Sequence, residues 1–510
     1  MNVGLCVRRL MRCPAVAVLL VCGAWGALYG RQVAAGFSNV DDYLYSSQTR
    51  AYLAGFQGGP HGLVRAWESF GINSPLVPML SLPVAAIADD PMFLVVVQLP
   101  VLLTMFAGLV ALARGLGVSA VGSWWVAVGV AVLPGVLGYA VMVHFAVAST
   151  ACVVWLLAAY MRSDRLRSKS WSVVVGLAAG LLTISRVVAV VYAAVLGLVL
   201  AYDFLVEHAD RAQRAGGAAL ALTVAALVAA PWWLTAGPSA IRYLVGAGYG
   251  DNSGFAPRSS ALRTVTSRLT WTATETGWLL AIILLVTFVV VVVVAVRRRD
   301  RPALLVAAVA TASMGGLATS SNAGTAFALP VTVLMALLVL TWSARQARQL
   351  RLVAGVVVGL SLFALLLPVN SQASKGPTLW QSGSPGLNEV RDALGRPIPE
   401  GLDAEQLARD VAHVAGSRTL LVVRDDAVLN ANIFGWVLPG LPLRTPGYGA
   451  HALSKADLKG AAVLTGMTSK PYHQGLSPIE TEQLLVAQGY RRVFLRTFSP
   501  SNDIEVWIPR

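Results

Sequence analysis

Charge is what this 510-residue sequence has least of. Only 13% of its residues are Asp, Glu, Lys or Arg, whereas 56% are hydrophobic and the mean hydropathy is +0.66. So little charge excludes an ordinary soluble domain and implies a chain that crosses a bilayer many times. Acid is scarcer than base, 25 residues against 39, for a net charge of +14. An excess of that sign also suits nucleic acid. Here, however, the basic residues fall in short clusters between apolar runs, where they set membrane orientation, so no nucleic-acid partner is expected. Cysteine is nearly absent. Cys6, Cys13, Cys22 and Cys152 all lie in or beside apolar segments, which excludes a disulfide framework or a zinc-type spacing.

Ionisable residues are also missing from the middle of the apolar runs, with Asp203, at a helix end, the nearest exception. Ion-coupled transporters and proton pumps need intramembrane carboxylates, so this absence weighs against them. A transporter or lipid flippase remains the main alternative function for a chain of this class, and an anchored sensor is a second.

Apolar runs are abundant. Eleven read as spans of about 20 residues: 14–30, 92–113, 120–138, 144–161, 171–185, 187–205, 216–235, 276–296, 302–320, 326–343 and 351–368. Arg8, Arg9 and Arg12 precede the first and should hold the N-terminus in the cytoplasm; a basic start before an apolar run also fits a cleaved signal peptide. With eleven spans, the basic clusters at Arg114, 162–169, 211–214, 297–301 and 345–351 all fall on the cytoplasmic side. Residues 75–88, "PLVPMLSLPVAAIA", would invert that pattern if they crossed. They are too short and proline-rich for a hydrocarbon core of about 30 Å, and read as an interfacial or re-entrant segment.

The expected organisation is therefore an α-helical polytopic membrane domain over 1–369, with a first outer loop at 31–91, and an extracytoplasmic α/β domain over 370–510. In that tail, helix-like "DAEQLARDVAHVAG" and "SPIETEQLLVAQGY" alternate with strand-like "RTLLVVRD", "GAAVLTG", "RRVFLRTF" and "DIEVWIP". It carries no G-x-G-x-x-G and no P-loop, so nothing marks a nucleotide site.

On this topology the outer face collects Asp41, Asp42, Tyr43, His61, Arg65, Glu68, Asp89, Asp90, His144, Arg186, Tyr243, Tyr249 and Asp251. Two readings stand for the acidic pair in "SNVDDYLYSS". It caps an interfacial helix, or one carboxylate accepts a proton from an acceptor hydroxyl as a general base. His144 is either a helix-end histidine or a proton-handling or metal-binding group. Asp89 and Asp90 precede Pro91 and suit a helix start. "RYLVGAGYGDNSG" at 242–254 is a flexible outer loop, either a plain connection or a lid whose tyrosines stack on a sugar.

The acidic pair before an aromatic ("VDDYLY"), the downstream "INSPLVPML", the ten further spans and the external α/β domain together resemble the GT-C membrane glycosyltransferases. The nearer branch is the protein mannosyltransferase and aminoarabinose transferase type. "ARGLGVSAVGSWW" is similar to that family's basic cytoplasmic turn, and "GLAAGLLTISR" to its Gly-rich span ending in a basic residue; the likeness covers about residues 5–300. The resemblance implies a multi-pass plasma-membrane enzyme that moves a sugar from a polyprenyl phosphate in the membrane lipid to a glycan, lipid or protein acceptor, with inversion. Abundant Ala, Val, Gly and Arg with only five lysines suggest a GC-rich source, for which arabinose or mannose donors in cell-wall biogenesis are expected. It implies Asp41 as catalytic base and Asp42 as the acid that orients the acceptor or holds a divalent cation, Mg or Mn; that cation is left open, and no other cofactor is expected. It implies Arg186 as the cation for the donor phosphate, with Arg65 as a second. Tyr43, His61, His144, Tyr249 and Asp251 are the expected substrate contacts. The sequence departs from the family in having Asn73-Ser74-Pro75 where His-Pro-Pro is usual, and His144 where a second acid is usual.

Overall fold

In the computed structural model every one of the eleven apolar runs is helical. The structure describes residues 13–35, 40–70, 73–88, 91–207, 210–249, 270–320, 326–345, 351–366, 378–380, 404–423, 431–438, 440–444, 458–465, 478–499 and 502–510. Arg8, Arg9, Arg12, Asp89, Asp90 and Asp251 lie outside the described residues, as does the expected domain boundary at 369/370.

The chain starts with α1 (Pro14–Ala35), then the helices α2 (Val40–Gln57), α3 (Gly59–Ser69) and α4 (Leu76–Ala85). The bundle continues through α5 (Gln98–Gly115), α6 (Ala120–Ala131), α7 (Pro134–Ala140), α8 (Phe145–Arg162), α9 (Lys169–Thr183), α10 (Ala189–Val206) and α11 (Arg211–Tyr249). It closes with α12 (Trp278–Arg298), α13 (Arg301–Ala318), α14 (Leu329–Arg345) and α15 (Arg351–Leu366). This is a polytopic helical membrane fold. Among the described residues, seven helices are long and apolar enough to cross a bilayer, or eight if α6 and α7, bent by 70°, form one span. That is fewer than the eleven expected, for a physical reason. At 15, 17 and 16 residues, α9, α14 and α15 reach only about 22–26 Å. Most of α14 is buried inside the bundle, so its neighbours are protein and not lipid.

The proline-rich 75–88 stretch behaves as its length demands. α4 has ten residues, about 15 Å. It buries Leu76, Val77, Pro78 and Ser81, and the Leu76 N–H donates to the Ile184 carbonyl at 3.2 Å. A second expectation needs correction: 242–249 is not loop. α11 runs on to Tyr249 through Pro231 and Pro238, because a helix packed in a membrane tolerates proline that would break it in water.

α9 and α11 pack face to face, and glycine sets how closely. Gly176 and Gly180, four residues apart in "GLAAG", meet α11 so tightly that a Cβ at Gly176 would lie 2.3 Å from the Ala221 carbonyl oxygen, and one at Gly180 2.7 Å from Val228 Cβ. In a bilayer, where lipid is as apolar as leucine, such close backbone approach is what holds two helices together. The basic clusters all meet at one end of the bundle. Arg165 and Arg301 both reach Glu207, at 2.9 and 3.0 Å, Arg345 pairs with Asp300 at 2.8 Å, and fully buried Arg214 donates to the Arg165 carbonyl.

The C-terminal part is a small α/β domain. α16 (Ala404–Ala415), β1 (Leu420–Val422), α17 (Ala431–Val437), β2 (Leu443–Arg444), β3 (Ala462–Thr465), α18 (Pro478–Ala487), β4 (Tyr490–Ser499) and β5 (Asn502–Pro509) follow in order. The sheet runs β2-β1-β3-β5-β4, with β1 parallel to β2 and β3, and β5 antiparallel to β3 and β4. Alternation divides its side chains between two cores: Leu420, Val422, Ala462 and Leu464 on one face, Leu421 and Val463 on the other. The first core also contains Tyr43 from α2, packed with Ile433 and Phe434 of α17.

Replacing Gly176 with Leu should force α9 and α11 apart and lower stability by about 1–3 kcal/mol. Gly23→Ala, at a position where a Cβ meets nothing, should leave it unchanged. Thermal unfolding of the two variants in detergent is the comparison, and equal melting temperatures would contradict this packing.

Candidate functional site

The helix carrying the acidic pair is tied to the membrane bundle by polar contacts along its length. α2 begins at Val40, so Asp41 and Asp42 occupy its first turn; their side chains lie outside the described residues. One turn after Asp41 stands Tyr45, 2% exposed, whose hydroxyl accepts a 2.6 Å hydrogen bond from Arg186 Nη1. Further along, Gln48 Nε2 donates to the Tyr52 hydroxyl at 2.6 Å and to the Asn73 carbonyl at 3.2 Å. Burial pushes the Tyr52 phenol above its ordinary range, so it stays protonated, with the Gln48 contact opposing in part.

Arg186 is placed by a break in the bundle. α9 ends at Thr183 and α10 begins at Ala189, and between them the Ser185 hydroxyl donates to the Leu182 carbonyl at 2.7 Å and lies 2.8 Å from the Ser149 hydroxyl. The half-buried guanidinium lies over the Phe145 ring, 4.2 Å from its centre, and 5.9 Å from that of Phe327. Aromatic faces stabilise a cation in a poorly solvated place.

His144 belongs to the same cluster. It is 2% exposed, stacks on Tyr139 at 4.9 Å and meets Tyr45 edge to face at 6.3 Å. Its Nδ1 accepts from the Ala146 N–H at 3.2 Å, capping α8, and its carbonyl accepts from Gln98 Nε2 at 2.9 Å. It is thus a helix-end histidine, bonded to a backbone N–H. That contact uses Nδ1 as an acceptor.

The other residues expected at the site are spread more widely. Tyr43, two positions from Tyr45 and hence on another face of α2, packs in the core of the C-terminal domain. His61 and Arg65 are exposed on α3; among the described residues neither bonds to Tyr45, His144 or Arg186. Tyr249 is the last residue of α11, and its side chain lies outside the described residues. Among the described residues no group of three or more His, Cys, Asp or Glu could hold a metal.

Glu275 is a buried acid that the sequence did not single out. It is 1% exposed, and a Cβ at Gly135 in α7 would come within 2.5 Å of its Oε2. Its only signal in the sequence is an acid at the edge of an apolar run, in "TATETGW".

This arrangement can be set beside known structures. ArnT from Cupriavidus metallidurans bound to undecaprenyl phosphate aligns with 96% of this chain and 97% of its own, with a TM-score of 0.62 and 12% identity. The chain has the GT-C fold. The apo state of the same ArnT matches at a TM-score of 0.56 and 13% identity, over 91% of this chain and 93% of that one. The arabinofuranosyltransferase AftD from Mycobacteria matches at 0.50 and 13% identity, over 97% of this chain but 40% of that one. No protein-family model and no curated protein sequence matches this chain. At such identities the likeness is one of fold, and the roles of side chains within the GT-C fold rest on the contacts above.

Tyr45→Phe removes the hydroxyl that Arg186 bonds. A hydrogen bond to a charged group is worth about 1.5–3 kcal/mol. A double-mutant cycle with Arg186→Met, read by thermal unfolding, should return a coupling of that order; additive effects would show that the contact contributes nothing.

Proposed function

We propose that this protein is an integral membrane glycosyltransferase acting on the outer face of the membrane, with a polyprenyl-phosphate sugar as donor and a glycan, lipid or protein hydroxyl as acceptor. The observation that carries the reading is the Arg186–Tyr45 hydrogen bond. It fixes a half-buried cation beside the helix whose first turn bears Asp41 and Asp42, within a GT-C fold. A cation held over aromatic rings in a poorly solvated setting binds a phosphate oxyanion more strongly than an exposed lysine does.

The mechanism follows from those positions. The lipid-linked sugar enters laterally from the bilayer and its phosphate meets Arg186. Asp41 removes the proton from the acceptor hydroxyl, the oxygen attacks the anomeric carbon, and the C–O bond to phosphate breaks. The electron pair leaves with the phosphate, whose growing charge Arg186 stabilises. One displacement inverts the anomeric centre. Asp42 orients the acceptor in this scheme. A lipid-phosphate donor needs no nucleotide motif, in keeping with the sequence. Mannosyl and arabinosyl donors are the two to try first.

Asp41→Asn should lower sugar transfer from a radiolabelled polyprenyl-phosphate donor by on the order of a hundred- to ten-thousandfold. Arg186→Gln should lower it by on the order of a hundredfold or more. Full transfer by Asp41→Asn, with Asp42→Asn inactive, would move the base to Asp42. Full transfer by both variants would remove the acidic pair from the mechanism.

A further inference from the structure

The end of the bundle opposite Arg186 holds a cavity that sugar transfer does not use. His144 caps the start of α8 and Arg162 is its last residue, and the 18-residue helix is about 27 Å long, so the aromatic cluster and this cavity lie at opposite ends of the bundle. The cavity has a volume of about 350 Å³ and lies among α5, α8, α10 and α13. Its floor is apolar, with Ala111, Met161, Pro302 and Leu305, while Arg114, Arg162, Arg165 and Arg301 line its polar part with Asp164 and Asp203.

The ion pairs decide what the cavity attracts. Asp203 is already engaged: it accepts from the Tyr160 hydroxyl at 2.5 Å and pairs with fully buried Arg214 at 3.5 Å and with Arg165 at 3.8 Å. Asp164 pairs with Arg167 at 2.8 Å, and Arg165 and Arg301 share Glu207. Two guanidiniums remain over. Arg114 has only a long 3.4 Å contact to the Ser123 hydroxyl, and Arg162 lies 5.1 Å from the centre of the Trp171 ring. Neither has an ion-pair partner among the described residues. α13 adds to the positive potential, because its N-terminal residues Arg301 and Pro302 line the cavity.

We propose that this cavity binds the phosphate headgroup of an anionic phospholipid from the leaflet on the side of the basic clusters. The phosphate is held by Arg114 and Arg162, and the start of an acyl chain lies on the Ala111–Met161–Leu305 floor. The two excess cations select a phosphate anion, and a basic pocket between spans is where such headgroups bind. The apolar floor separates a lipid from free phosphate, which gains nothing from it.

The test is binding of phosphatidylglycerol, phosphatidylcholine and inorganic phosphate to the purified full chain in detergent, followed by the shift in unfolding temperature. Phosphatidylglycerol should stabilise saturably, and phosphatidylcholine and inorganic phosphate should not. Arg114→Gln with Arg162→Gln should weaken the phosphatidylglycerol response by on the order of thirtyfold, while the paired lysine substitutions keep most of it. Arg297→Gln, a basic residue on the same face but outside the cavity, should leave it unchanged. An equal response to phosphatidylcholine or inorganic phosphate, an unaltered double variant, or an equal loss in Arg297→Gln would each overturn the proposal. Should the double variant not fold, wild-type preference for phosphatidylglycerol over phosphatidylcholine that fades in high salt supports the site, and no preference overturns it.

Discussion

The contact between Arg186 and Tyr45 is the constraint on which the placement of the acidic-pair helix against the bundle depends. A guanidinium at a helix break inside a membrane protein must be satisfied by its surroundings, because desolvating a charge costs several kcal/mol. Here Tyr45 supplies an acceptor and Phe145 and Phe327 supply ring faces. The same break holds α4 through the Ile184 carbonyl, and α4 follows Asn73, whose carbonyl accepts from Gln48 of α2. The acidic-pair helix, α4 and the cation are therefore linked by hydrogen bonds.

The two ends of the bundle solve the problem of buried charge differently. On one side an arginine is set among aromatic rings and a tyrosine hydroxyl, groups that stabilise a cation through ring faces and a neutral acceptor. On the other, Arg165, Arg214 and Arg301 are interlocked with Asp203 and Glu207, and Arg214 also spends donors on the carbonyls of residues 165, 203 and 207. Interlocked networks of that kind fix geometry.

Much of this was legible in the sequence, for reasons that differ by residue. Hydropathy located each apolar run and the clustering of arginine placed them on a common end, since both signals come from the bilayer itself. The longer helices and strands of the C-terminal domain could be read from their periodicity. α17 and the two-residue β2 could not, because neither is long enough to establish a period. The passage of α11 through Pro231 and Pro238 was hidden for another reason: proline predicts a break in water, and its neighbours here are helices and lipid. At the site, Arg186 stood out as a charge at the end of an apolar run. Tyr45 did not, because its role is set by which face of α2 it occupies, and the neighbouring Tyr43 was equally visible. Glu275 escaped notice because one-dimensional patterning does not reveal burial against a glycine in a distant helix.

Tyr43 has a consequence for how the molecule comes into being. Its ring completes a core whose other members, Leu407 to Ile508, are synthesised almost a whole chain later. Helix α2 must therefore wait, already translated but lacking one of its packing partners, until the last strands have been made. Two of its three tyrosines are satisfied at different times: Tyr45 once the span bearing Arg186 is in place, Tyr43 only when the sheet closes over it.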